Sequence, residues 1–139
     1  MKYLCLALVL IMTSPAFSQS DDEEVKRILD SQARCWNNGD LNGFMETYWK
    51  SDSLLFVGKT GVLRGWDRTL ANYKKNYPDT VAMGKLSFDI LQLKRLSDQW
   101  YFLVGKYTLK RSVDTVSGVF TLLIEKRNGK WVIVADHTP

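Results

Sequence analysis

An α+β fold, three N-terminal helices packed on a curved antiparallel sheet, is predicted by three features of this 139-residue sequence. Apolar residues recur at three-and-four spacing up to Tyr77, long stretches beyond Leu86 alternate, and an Asn128-Gly129 pair joins the last two of those stretches. In the first helix Val25, Ile28, Leu29, Gln32 and Trp36 share one face, and Asn37-Asn38-Gly39 stops it. A second helix starts on Asp40 as N-cap and is expected to carry Leu41, Phe44, Met45, Tyr48 and Trp49 on its stripe. Two short strands follow, Leu54–Val57 and Val62–Arg64, around a turn at residues 58–61. The third helix opens near Gly65, places Trp66, Leu70, Tyr73 and Tyr77 on one side, and ends at Pro78.

The sheet begins with Leu86, Phe88 and Ile90 in strict alternation, and Leu91, Leu93 and Leu96 then fall out of phase, which predicts a bulge near Ile90 and Leu91. Trp100–Arg111 and Val116–Arg127 are long strands, and a two-residue type I′ turn at Asn128-Gly129 leads into Lys130–His137. That turn pairs Arg127 with Lys130. Unbroken counting then sets Ile124 opposite Ile133, Leu122 opposite Ala135 and Phe120 opposite His137. A symmetric Ser112–Thr115 connection adds Tyr107 to the Phe120 and His137 row. On this register one face holds Tyr107, Leu109, Arg111, Phe120, Leu122, Ile124, Trp131, Ile133, Ala135 and His137, and it receives the helices. The opposite face places Val132, Val134 and Leu123 beside threonines, more apolar than a solvated face, so a homodimer through the back of the sheet is expected.

At 45% hydrophobic and 24% charged residues the chain reads as globular rather than disordered. Its net charge of +4 comes from cations scattered among acids, which argues against nucleic acid as a partner. Residues 1–18 have the form of a secretory signal peptide: Lys2, an apolar run from Leu4 to Met12, then Ala16-Phe17-Ser18 with small residues at the cleavage positions. A polar lead-in over residues 19–24 and one domain over 25–139 complete the expected organisation. The protein is accordingly expected to be secreted or periplasmic, with no membrane insertion after cleavage. With Cys5 in the signal, Cys35 has no partner for an internal disulfide, and one His and one remaining Cys do not make a zinc site. No metal or cofactor is expected.

The helix corner Cys35-Trp36-Asn37-Asn38-Gly39-Asp40, Phe56–Gly58, Gly65-Trp66, Gly118–Leu122 and above all the closing Trp131-Val132-Ile133-Val134-Ala135-Asp136-His137-Thr138 resemble the nuclear transport factor 2-like superfamily. Within it they are most similar to the SnoaL-like branch and its small secreted domains of unknown function. The resemblance covers residues 25–139 and implies a cone-shaped fold, also termed cystatin-like, with a pocket between helices and sheet and frequent sheet-to-sheet dimers. It implies no single activity, because relatives include isomerases, cyclases, hydrolases, kinase-association domains and transport factors.

Gln32, Trp36, Tyr48, Trp49, Phe56, Trp66, Tyr107, Arg111, Phe120 and His137 are the expected ligand-binding set. The rings would line a cavity, and Gln32, an amide interrupting an apolar stripe, would find its partners there. Arg111, with Arg64 as a weaker second, would favour weakly anionic molecules. His137, the single histidine of the chain, is the candidate catalytic proton carrier; the competing reading is a structural histidine at the strand end. Alternation puts Asp136 on the other face, so no Asp136–His137 dyad is expected. Three functions remain open: a binding protein for a small hydrophobic or weakly anionic molecule, an isomerase, cyclase or hydrolase using His137, and an interaction module whose cone is filled by side chains.

Overall fold

The computed structural model describes residues 16–139, so the apolar core of the expected signal segment lies outside the described residues. The elements are α1 (Ala16–Asn37), α2 (Leu41–Met45), β1 (Leu55–Gly58), β2 (Gly61–Arg64), α3 (Trp66–Asn76), α4 (Thr80–Met83), β3 (Lys85–Ser97), β4 (Trp100–Lys110), β5 (Thr115–Arg127) and β6 (Lys130–Thr138). The strands form one sheet in the order β2-β1-β6-β5-β4-β3. All pairs are antiparallel except β1 with β6, and the helices cover one face. Val25, Met45, Leu54, Tyr101, Leu103, Ile124 and Ile133 are fully enclosed in the core between them. Among the described residues no helix is long and apolar enough to cross a membrane.

The polar stretch 19–24 is part of α1, and it is an anchor. Asp21 is 8% exposed and accepts hydrogen bonds from Lys126 Nζ at 2.9 Å, Trp131 Nε1 at 3.2 Å and Arg95 Nη2 at 3.3 Å. Asp22 accepts from the Tyr101 hydroxyl. The Lys126 ammonium, bonded to Asp21, holds that carboxyl below its ordinary range. One turn of helix is thereby tied to four strands.

α2 is shorter than its apolar spacing predicts. Asp40 caps it, accepting from Gly43 N at 2.8 Å, but the chain leaves the helix after Met45. Ile133 N donates to Thr47 O at 3.0 Å and Trp49 N to Ile133 O at 2.9 Å, so after a turn at residues 46–47 the chain passes beside β6 as a parallel bridge at Tyr48. Thr, Tyr and Trp in succession suit an extended edge better than a helix end. On extended backbone Tyr48 and Trp49 point to opposite sides, where a helix would have kept them together. α4, a single turn capped by Asp79, has no counterpart in the sequence reading.

Two register findings decide the site. Asn128 and Gly129 both have positive φ, as the type I′ turn requires, and Arg127 pairs with Lys130 and Ile124 with Ile133 as expected. The count then slips: Leu123 pairs with Ala135, Leu122 with Asp136 and Thr121 with His137, leaving Val134 as a bulged extra residue. One extra residue exchanges the faces of everything beyond it. Asp136 therefore turns inward and is 4% exposed, whereas His137 turns outward and is exposed, correcting the expected inward imidazole. The β4–β5 connection occupies residues 111–114, one position earlier than expected, so Tyr107 pairs with Gly118 and Phe120 with Gly105. This slip moves each partner by two, and both rings keep their face. The bulge expected near Leu91 is present, with a register shift between Ile90 and Gln92.

Candidate functional site

A cavity of about 380 Å³ opens between the helices and the concave face of the sheet. Seven of the ten expected residues line it: Gln32, Trp36, Tyr48, Phe56, Tyr107, Arg111 and Phe120. Trp49, Trp66 and His137 do not. Trp49 lies on the other side of its extended segment, with the Arg127 guanidinium 3.9 Å over its ring. Trp66 is buried at the start of α3, where its indole donates to Met45 O at 2.8 Å and packs the core. Arg64 is exposed on β2 and Cys35 packs against the core; neither reaches the cavity.

Sequence reasoning missed Asp136 and Thr138, and it did not assign Phe44, Tyr73 or Tyr77, which also line the cavity. Tyr73 and Tyr77 lay on a recognised helix stripe, and nothing in that stripe separates a cavity wall from a core contact. The rings support one another edge-on: Trp36 meets Phe44 at 5.3 Å and Tyr77 at 4.8 Å between centroids, and Phe88 meets Phe120 at 5.4 Å. Two glycines keep the sheet side open. Phe120 lies over its cross-strand partner Gly105, where an added Cβ would come within 2.4 Å of the ring, and Tyr107 lies over Gly118 in the same way, at 2.8 Å.

The floor of the cavity is polar. Tyr48 Oη donates to Asp136 Oδ2 at 2.7 Å, and Thr138 Oγ1 donates to Asp136 Oδ1 at 2.6 Å. Burial pushes the Asp136 carboxyl above its ordinary range, against the effect of those two bonds. Burial likewise raises the Tyr48 and Tyr73 phenols well above theirs, with the nearby Asp136 charge adding to it. Gln32, 2% exposed, donates from Nε2 to Thr47 Oγ1 at 2.9 Å. At the open end, Arg111 is held by Asp114 through Nε and Nη2, both at 2.6 Å, so its charge is already matched on the protein. Lys59 also lines this end. Chemically the floor can accept or exchange a proton and hydrogen-bond a ligand's polar end; no group of three or more His, Cys, Asp or Glu among the described residues is placed to hold a metal.

No protein-family model and no curated protein matches the chain. Among solved structures it is similar to an NTF-2 like protein of unknown function from Shewanella oneidensis MR-1, at 42% identity and a TM-score of 0.83, over 86% of this chain and 99% of that one. It also shares its fold with an NTF2-like protein of unknown function from Pseudomonas putida KT2440, at 13% identity, TM-score 0.68 and 86% and 85% coverage of the two chains. A ketosteroid isomerase-like protein from Erwinia carotovora atroseptica SCRI1043 has the same fold at 15% identity, TM-score 0.63 and 84% and 93% coverage. With that identity to the Shewanella protein along nearly its whole length, and with this curved sheet and cone, the chain belongs to the nuclear transport factor 2-like family.

Proposed function

We propose that this domain is an exported binding protein whose cone receives a small, mainly apolar molecule and seats its polar end on Asp136 and Tyr48. The observation that carries this reading is an open cavity with a buried polar floor where a purely structural cone would hold packed side chains. Its volume is in the range of small-molecule sites, and walls of aromatic rings around a few convergent polar groups are their usual composition. An anionic end at the floor is disfavoured, since Arg111 is engaged by Asp114 and the floor presents a carboxyl. Export rests on the signal-like segment at residues 1–18.

The reading is tested by native mass spectrometry of the purified protein beside Gly105→Ala. The new methyl group collides with the Phe120 ring and drives it into the cone, at a cost of about 1–3 kcal/mol in stability. The expected result is a retained small molecule in the wild type and none in the variant. Equal retention by both would count against the cone as the binding place.

An enzyme is the second reading, favoured by the Tyr48–Asp136 hydrogen bond in an apolar site. In it the proton carrier is Asp136, since the outward His137 lies across the sheet from the cavity. A homodimer through the convex face is part of the proposal. That face carries Val119 at 52% and Val62 at 61% exposure beside Leu55, Phe102 and Leu123. Light scattering is expected to give about twice the chain mass, falling to one chain in Val119→Glu.

A further inference from the structure

We propose that the cone's floor is a receptor for an organic cation, a protonated amine or quaternary ammonium group seated against the Asp136 carboxylate beneath aromatic faces. This rests on the reading of the cone as a binding cavity and names the class of its occupant.

The argument starts from two buried carboxylates treated differently by one chain. Asp21 is enclosed with Lys126 and Arg95 bonded to it, the ordinary condition of a buried acid. Asp136 is more deeply enclosed, and its partners are two neutral hydroxyls, Tyr48 and Thr138. Among the described residues no lysine or arginine lies within 4.0 Å of it. A carboxylate has about four acceptor positions. Two are taken, and Asp136 lines the cavity. The protein supplies a buried carboxyl with no cation bonded to it, and a counter-charge has a route in.

The walls favour the same sign. Trp36, Phe44, Phe56, Tyr73, Tyr77 and Phe120 surround the space, and the faces of aromatic rings attract cations. An anion would be repelled by both rings and floor. A neutral apolar molecule would satisfy the rings and leave the carboxylate unmatched. Only a cation with an apolar body answers both. The groups that face or flank Asp136 do not supply that charge by contact: Gln32 from α1, Tyr48 after α2, Tyr73 from α3, Phe56 from β1 and Leu122 from β5 are uncharged, and of the two cations in the cavity lining Arg111 is paired with Asp114 and Lys59 stands more than 4.0 Å from Asp136. His137, next in β6, acts on Asp136 only from the far face of the sheet, and favours the ionised form when protonated.

Calorimetric titration of the full chain with 2-phenylethylamine and 2-phenylethanol, equal in size and different in charge, tests the proposal. At neutral pH the amine is expected to bind about tenfold or more tightly than the alcohol. Asp136→Asn keeps an acceptor for Tyr48 and removes the charge; it is expected to abolish the preference, the amine losing about tenfold relative to the alcohol. In the wild type the preference is expected to fade as the pH drops and Asp136 takes up a proton. This arm decides the matter if the variant is unfolded. Equal binding of amine and alcohol by the wild type, or a preference that survives Asp136→Asn or acid, overturns the cation and leaves the cone standing. Failure of both probes to bind overturns the cone as well.

Discussion

Replacing Asp21 with alanine is expected to lower the unfolding free energy by about 3 kcal/mol, a large share of a small domain's stability. The substitution strips the Trp131 indole N–H of its acceptor in a residue 6% exposed, and an orphaned buried donor costs about 1–3 kcal/mol. Lys126 and Arg95, with 32% and 26% of their side chains exposed, recover part of their hydration, so their loss adds less. The Asp21 carboxyl is held below its unfolded value near 3.8, chiefly by Lys126. Its contribution is therefore present above that value and disappears as the pH falls through the depressed folded one. Urea unfolding should show the full deficit at neutral pH, and in strong acid the two proteins should draw closer by the charge-dependent part, while the part due to the Trp131 hydrogen bond remains. A constant difference down to pH 2 would mean that shape rather than charge is responsible.

Trp36→Ala is expected to cost more, about 3–5 kcal/mol, and to change the cavity at the same time. Trp36 is 4% exposed, packs edge-on against Phe44, Tyr73 and Tyr77, and donates its indole N–H to Met83 O at 2.9 Å, so it connects α1 with α2, α3 and α4. Its removal leaves a hole continuous with the cone. Trp36→Phe retains a ring and loses mainly the hydrogen bond, about 1 kcal/mol. Denaturant midpoints of the two variants should separate accordingly; similar midpoints would show that the wall is held by its neighbours.

Most of the architecture was legible because helix stripes and strand alternation are strong signals, and the Asn128-Gly129 turn fixed the start of the last hairpin. Of the cavity lining, Gln32, Arg111 and five rings were legible: Trp36, Tyr48, Phe56, Tyr107 and Phe120. Its chemistry was not, and the cause is local. Near Leu91 the phase change shows because apolar residues switch parity between polar ones. In Trp131-Val132-Ile133-Val134-Ala135 every residue is apolar, so either parity buries a respectable face and the slip at Val134 leaves no trace. Trp49 was misplaced for a related reason: adjacent residues share a helix stripe but straddle a strand. The role of Asp21 was hidden because its partners lie 74, 105 and 110 positions away.

The kink at Val134 also bears on how members of this family are compared. Two sequences that align without a gap through the closing strand can present opposite residues to the interior if only one of them kinks there. Shared identity at positions 136 and 137 is then no guarantee of shared chemistry, and a difference at those positions is no proof of divergence. Backbone pairing must be established for each homologue before an acid or an imidazole is transferred from one to another.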